Sequence, residues 1–500
     1  MEKFILAIDQ GTTATTVLLI DSNLTVAGRA STEILPQYPK YAWVEHDLSQ
    51  IWSGTLKTIE KALKSSNIDP KAISAIGITN QRETVGAWNR TTLTPLHKAI
   101  VWQCRRTLER CAELKKVPGM IQTFKQKTGL VLDPYFSCTK IEWLLANVPN
   151  LRKLAESGTA VFGTIDTFLT HCLSGGKAFV TDTTNASRTG LMDLASLAWD
   201  QELIDLFKVP QKSLATICSS SEIYGTTNGL DCLPDGIPIA GILGDQQAAL
   251  FGQLCTKPGD SKLTYGTGAF LVSNTGEKII YSKNGLLTTV AWTMHGKTNY
   301  ALEGSAFVAG ALVQWLRDEL GIIKSSSDIE ALARAAKDDE MGELAFVPAL
   351  TGLGAPHWNA GARGLLTGIT RGTSKAHIAR AALEGIALQN HDLISALAGD
   401  MAPTKINFLR VDGGASANDF LIQLQADLAK IAIDRPQVLD TTALGAAMAA
   451  GLAVGLWTSE QELLAQWKID KSFISDGDKK NLDRLGRSWA KALAMIAQGG

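Results

Sequence analysis

The turn Asp9-Gln10-Gly11-Thr12-Thr13 gathers a carboxylate, two small hydroxyls and open backbone N–H groups in one tight loop. Phosphate oxygens need N–H and O–H donors with no bulky side chain in the way, and a magnesium ion needs a carboxylate. Tyr265-Gly266-Thr267-Gly268 offers the same donors without the acid. One Gly-Thr turn alone is an ordinary hairpin tip. Two of them about half a chain apart, together with Val411-Asp412-Gly413-Gly414, make a different pattern. A glycine pair just before a helix lets a ligand approach the backbone, so the three segments point to one phosphate site. No Gly-x-x-x-x-Gly-Lys-Ser/Thr run is present, so a Walker-type loop is not indicated.

Three further polar clusters follow apolar runs. Ala75–Thr79 stops at Asn80-Gln81-Arg82-Glu83, and Ile237–Ile242 stops at Gly244-Asp245-Gln246-Gln247. Val101-Trp102-Gln103-Cys104-Arg105-Arg106 follows another apolar stretch. In open α/β sheets ligands collect at the carboxyl ends of strands. Taken singly, Arg82-Glu83 reads as a solvated surface pair, Asp245 as a helix cap, and Trp102 and Phe270 as core residues. Their repetition at successive strand ends argues for a site instead.

The elements that must hold these groups are legible in outline. Phe4–Ile8 and Thr15–Ile20 are short β-branched runs on either side of the first Gly-Thr turn, hence a hairpin. Lys262–Asn274 repeats that pattern around the second turn. β-Branched runs alternate with helical periodicity elsewhere, which favours an α/β fold. Phe307, Ala311 and Trp315, with Val308, Leu312 and Leu316, recur every four residues and predict a helix. Ser416-x-x-Asp419 predicts a helix cap, with Leu421, Leu424 and Leu428 as the apolar stripe behind it. Two halves with the same core are expected, dividing near Lys257-Pro258-Gly259 into 1–253 and 254–500. The pattern is that of two actin-like ATPase (ribonuclease H-like) domains flanking a deep cleft.

Composition excludes several other classes. The 500 residues allow about two to four domains. With Lys+Arg at 48 against Asp+Glu at 49, nothing draws the chain to nucleic acid or an anionic membrane. The five apolar residues after Met1-Glu2-Lys3 are too few for a signal-peptide core. Ala443–Trp457, the longest apolar stretch, is too short to span a bilayer and reads as a buried helix. The 7 cysteines are odd in number and contain no Cys-x-x-Cys, so neither a disulfide framework nor a zinc site is suggested. A reduced, cytoplasmic protein is expected.

Over nearly its whole length the chain resembles the FGGY carbohydrate kinases. The likeness rests on the two Gly-Thr turns, Trp43-Val44-Glu45-His46-Asp47, Asp133-Pro134-Tyr135-Phe136-Ser137 and Thr184-Asn185-Ala186-Ser187-Arg188-Thr189. It also rests on Gly244–Gly252, Thr351–Pro356, Asp412-Gly413-Gly414 and the segment Gly364–Glu384. The runs Asn80–Thr84 and Trp102–Arg106 resemble members that act on glycerol more than those that act on pentuloses.

The resemblance implies roles. Asp245 would be the general base, taking the proton from a terminal hydroxyl of the polyol. Arg82, Glu83, Tyr135 and Gln246 would bind hydroxyls, with Trp102 and Phe270 as an apolar wall. Thr12, Thr13, Ala14, Thr16 and Thr267 would surround the phosphates of ATP, and Gly310, Gln314, Gly414 and Asn418 would lie along the nucleotide. Asp9 and Asp245 would hold Mg²⁺. A homo-oligomer, dimer or tetramer, is implied as well. Members of this kind usually carry Arg where this chain has Thr16, and often Ser where it has Ala14. Some bacterial members are inhibited by fructose 1,6-bisphosphate at a loop matching Asn228–Ile237, which here carries Asp231 and Asp235 and neither Arg nor Lys. Two other readings stay open: an FGGY kinase for a different polyol or ketose, and a non-enzymatic nucleotide-binding protein of the actin or Hsp70 kind.

Overall fold

The structure, a computed structural model, describes residues 2–359 and 361–498. Two large sheets organise it. The first runs in the order Ser221–Thr226, Pro238–Gly244, Ile73–Asn80, Phe4–Gln10, Ala14–Asp21, Val26–Glu33. The second runs Leu287–Met294, Lys297–Ala306, Ala269–Gly276, Asp260–Tyr265, Phe408–Asp412, Ile433–Pro436, Ile469–Phe473.

The two sheets share a core plan. In each, the opening strand pairs antiparallel with its hairpin partner, and that partner pairs antiparallel with a third strand. On its other edge the opening strand pairs in parallel with a strand far along the chain, and a further parallel strand follows. Both predicted hairpins are present, Phe4–Gln10 with Ala14–Asp21 and Asp260–Tyr265 with Ala269–Gly276. Their central residues, such as Ile5, Leu6, Leu18, Leu263 and Leu271, are fully buried. Burial on both faces explains the unbroken apolar runs, which carry no inside–outside alternation.

Two expectations need correction in detail. The helix predicted from Phe307 begins at Gly310 and runs to Asp318, so Phe307 and Val308 precede it. The helix after the glycine pair spans Asp419–Ala429, and Asn418 caps it by accepting from the Leu421 N–H. Ser416 lies in a short turn ahead of that helix, with its hydroxyl donating to the Gly413 carbonyl at 2.6 Å. A side chain bonded back to its own turn cannot also cap the helix.

The apolar stretch at 443 forms the buried helix Thr441–Ala453. It packs on the strands Ile73–Asn80 and Pro238–Gly244 of the first sheet, and on the helix Asp245–Gly252. The two helices meet backbone to backbone. A Cβ at Gly445 would lie 1.9 Å from the Ala248 carbonyl oxygen, and one at Gly252 would lie 2.1 Å from that of Thr441. Only glycine permits such an approach. Asp245, at the start of one of these helices, is thereby fixed relative to the second half of the chain. Among the described residues no helix is long and apolar enough to cross a membrane.

Candidate active site

The first Gly-Thr turn closes with the Gly11 N–H on the Ala14 carbonyl at 2.9 Å. Thr13 is exposed at its tip, and Gly11 and Thr12 are half-buried. Thr12 Oγ1 accepts from the Trp102 indole N–H at 2.9 Å, so the aromatic wall and the turn are coupled. Trp102 also stands edge-on to Tyr135, with ring centroids 5.6 Å apart. Thr16 lies opposite Asp9 in register, and its hydroxyl faces that of Ser31 at 3.2 Å. Arg29 pairs with Asp440 at 3.0 Å, which ties the third strand to the segment leading into Thr441–Ala453.

At the second turn the Thr267 carbonyl accepts from Ala309 at 2.8 Å and from Ala311 at 3.1 Å. The Gly310 N–H donates to the Gly266 carbonyl at 2.9 Å. A Cβ at Gly310 would sit 2.7 Å from that oxygen, so the helix start and the turn touch directly. Ala415 lies at the same junction. Thus Thr267, Gly310 and Gly414 meet at one place, with Gly414 exposed beside them and Gln314 exposed a turn along the helix. Asn418 Oδ1 accepts from the Leu421 N–H in the helix cap at 2.9 Å. Its amide nitrogen has no hydrogen bond among the described residues and is open to a ligand.

Arg82 and Glu83 are not a solvated pair. They are 2% and 1% exposed and belong to a buried chain of charges. Arg82 Nε lies 2.8 Å from Asp245 Oδ1. Its Nη1 donates to Gln247 Oε1 at 3.1 Å and to Glu303 Oε2 at 2.5 Å, and its Nη2 donates to Glu303 Oε1 at 3.0 Å. Arg188 continues the chain, with Nη2 3.0 Å from Glu303 Oε1 and Nε 2.6 Å from Glu83 Oε1. Glu83 itself has φ +60°, a left-handed backbone held by this surrounding network. Lys140 donates to the Tyr135 carbonyl at 2.6 Å and supports the same wall.

What remains unused defines the chemistry. Asp245 Oδ1 is taken by Arg82 and by the Gln246 N–H at 2.7 Å, while Oδ2 has no hydrogen bond among the described residues. The same holds for Glu83 Oε2, for the Tyr135 hydroxyl and for one N–H on Arg82 Nη2. Lys262 Nζ donates to Gln246 Oε1 and, at 2.8 Å, to Thr264 Oγ1. That fixes the Gln246 amide so that its N–H₂ is the free end. Two acceptors and three donor groups are therefore left, matched to a small molecule with several hydroxyls.

The electrostatics agree. Burial raises the Asp245 carboxyl, and the Arg82 charge opposes that rise. Burial and the Asp245 charge push Asp9 up to about 7, with Asp440 adding to the effect. Two carboxylates that repel in this way make a donor set that a divalent cation would relieve. Among the described residues no group of three or more His, Cys, Asp or Glu side chains is disposed to hold a metal. An ion here would keep water and phosphate oxygens as its other ligands, as Mg²⁺ prefers. Burial alone would raise Glu303, but Arg188 and Arg82 draw it down to about 2. Burial brings Lys262 down to about 8.

Sequence reasoning assigned no role to Glu303, Lys262 and Arg188. Lys262 opened the quoted run Lys262–Asn274 and Arg188 stood inside another, whereas Glu303 sits within a strand without any local motif. Their signal lies in register alone: Lys262 pairs with Val272 and Val272 with Glu303, while Thr264 pairs with Phe270 and Phe270 with Ser305. Residues directly opposite share a face, so Phe270, Lys262 and Glu303 occupy one side of the second sheet.

The N-terminal domain model of the FGGY family of carbohydrate kinases matches residues 4–252, and the C-terminal domain model matches 261–454. A glycerol kinase of Desulforamulus reducens is 50% identical over 98% of this chain and 97% of that protein. One of Myxococcus xanthus is 52% identical over 98% of this chain and 99% of its own length. Among solved structures, Plasmodium falciparum glycerol kinase with ADP superposes with a TM-score of 0.91 at 36% identity, covering 99% of this chain and 98% of that one. A gluconate kinase from Lactobacillus acidophilus, at 24% identity and a TM-score of 0.86, shares the fold. The chain belongs to the FGGY family of carbohydrate kinases and has its two-domain, actin-like ATPase fold.

Proposed function

We propose that the chain transfers the γ-phosphoryl group of ATP to a terminal hydroxyl of glycerol, giving sn-glycerol 3-phosphate and ADP. One observation carries the reading: the free valences of Asp245, Glu83, Arg82, Gln246 and Tyr135 belong to one connected network, with the first Gly-Thr turn joined to it through Trp102. Relatives 50% and 52% identical over nearly the whole chain bear the name glycerol kinase, which supports the same substrate.

In this reading Asp245 Oδ2 accepts the proton of the attacking hydroxyl. The hydroxyl oxygen forms a bond to the γ-phosphorus as the bond to the ADP oxygen breaks in line. Arg82 and Gln246 donate to hydroxyl oxygens, Glu83 accepts from a hydroxyl, and Trp102 and Phe270 cover the carbons. Thr12, Thr13 and Thr267 with their backbone N–H groups surround the phosphates, beside Ala14 and Thr16. Gly310, Gln314, Gly414 and the Asn418 amide nitrogen lie along the nucleotide. Asp9 and Asp245 would hold magnesium, which when bound neutralises charge on the phosphate oxygens. The chain divides into domains 1–253 and 254–500, each with its own sheet, and assembles as a homo-oligomer.

The test is ADP release with ATP and magnesium across glycerol, dihydroxyacetone, erythritol and xylulose. The highest kcat/KM is expected with glycerol. A preference for xylulose would place the chain with the ketose kinases, and ADP release independent of any polyol would remove the kinase reading.

A further inference from the structure

Glu303 is fully buried on the strand Lys297–Ala306 of the second sheet, yet both its oxygens serve guanidinium groups from the first half of the chain. Burying a carboxylate costs desolvation that ion pairs and hydrogen bonds at best repay, and apolar packing would often stabilise as well, so stability alone is a weak reason for it. We propose that Glu303 is a positioning residue that sets polyol specificity, by holding Arg82 and Arg188 so that one Arg82 N–H and Glu83 Oε2 remain free for substrate hydroxyls. The proposal rests on the glycerol reading above.

A guanidinium has five N–H donors in a rigid plane. On Arg82, Glu303 takes one from each terminal nitrogen, Gln247 takes another and Asp245 lies against Nε, which leaves one. On the other side Arg188 reaches from Glu303 Oε1 to Glu83 Oε1, and its guanidinium stands over the Tyr135 and Phe136 rings at 5.6 and 5.3 Å. Glu303 thus fixes which oxygen of Glu83 is occupied and which is open. Without this anchor both guanidinium groups are free to turn onto Glu83 and Asp245, consuming the acceptors a polyol needs. An amide at this position has a single acceptor oxygen, and its N–H₂ would confront a guanidinium N–H. It cannot hold both forks.

The test compares kcat/KM for glycerol and for propane-1,2-diol in the unmutated protein and in Glu303→Gln. Their ratio cancels the fraction of folded enzyme, so a merely structural role leaves it unchanged. The proposal predicts that the ratio falls roughly tenfold, the scale of coupling within one hydrogen-bonded network. It also predicts a raised KM for glycerol with the KM for ATP unmoved. Glu303→Asp keeps the charge and should recover part of the ratio. Where Glu303→Gln yields too little protein, Arg188→Lys, which keeps the charge but breaks the fork between Glu303 and Glu83, should lower the ratio in the same direction. An unchanged ratio in the variant measured overturns the proposal and leaves the glycerol reading standing. Absence of glycerol phosphorylation by the unmutated protein overturns both.

Discussion

Arg82 Nε lies 2.8 Å from Asp245 Oδ1, and this makes the two oxygens of Asp245 unequal. One is tethered to a guanidinium that is 2% exposed; the other carries no hydrogen bond among the described residues and belongs to a side chain still 30% open. A general base needs an accessible lone pair, and Oδ2 offers one that no other group among the described residues claims.

Asp245→Asn preserves the shape and the contact with Arg82 but cannot take up the hydroxyl proton. Loss of a general base costs about 10²–10⁴ in rate. Turnover with glycerol should fall by that factor, while nucleotide affinity, read by calorimetry, stays within a few-fold. Turnover close to that of the unmutated protein would remove Asp245 from the proton transfer.

Arg82→Ala should act on discrimination as well as on rate. A substrate lacking one hydroxyl leaves a buried polar group unpaired, at a cost of about 1–3 kcal/mol, more for a charged group. Propane-1,2-diol is therefore expected to be a much poorer substrate than glycerol, and Arg82→Ala should narrow the gap by about tenfold, since 1.4 kcal/mol is a factor of ten. Equal kcat/KM for the two alcohols in the unmutated protein would refute the hydroxyl-binding assignment.

The hairpins were legible because β-branched runs and Gly-Thr turns are local signals, and so were the polar strand ends at Asn80 and Gly244. Arg82 and Asp245 announced themselves in this way. Glu303 did not: it is 221 residues from Arg82, in a strand whose neighbours Leu302 and Gly304 give no hint of a site. Its meaning depends on cross-strand register and on how one half sits against the other, which no short window contains. The Ser416 cap failed for a related reason, since the tight turn before the helix claimed that hydroxyl first.

His46 supplies a pH test of stability. It is fully buried on the short strand Glu45–His46, neither ring nitrogen has a well-formed hydrogen bond, and burial lowers its pKa from 6.5 to about 4. The folded imidazole stays neutral where the unfolded one takes up a proton. The resulting stability is complete above about pH 6.5 and is lost as pH falls toward 4, with a slope of up to about 1.4 kcal/mol per pH unit. His46→Gln should flatten this stretch of the acid limb, so its urea midpoint should fall less between pH 7 and pH 5 than that of the unmutated protein. Parallel midpoints would show that His46 does not titrate on unfolding.

Regulation by fructose 1,6-bisphosphate is not expected. In the loop Asn228–Ile237 the Asp235 carboxylate already accepts from the Gly229 N–H at 2.7 Å and from the Asn228 amide at 3.3 Å. The donors a phosphate would use are occupied by a negative charge, which also repels it. Millimolar fructose 1,6-bisphosphate, with magnesium in excess, should leave the steady-state rate unchanged. Clear inhibition would show that an anion site exists elsewhere on the protein.

In the proposed function, the free oxygen of Asp245 and the hydroxyl-binding groups around it direct phosphate onto the end of a glycerol molecule. The most direct test is the identity of the product, by ³¹P NMR of the reaction with glycerol, ATP and magnesium, followed by a stereospecific sn-glycerol 3-phosphate dehydrogenase. One phosphomonoester is expected, formed in step with ADP and oxidised completely by that dehydrogenase. Inorganic phosphate as the only new signal, or a phosphomonoester that the dehydrogenase does not consume, would contradict it.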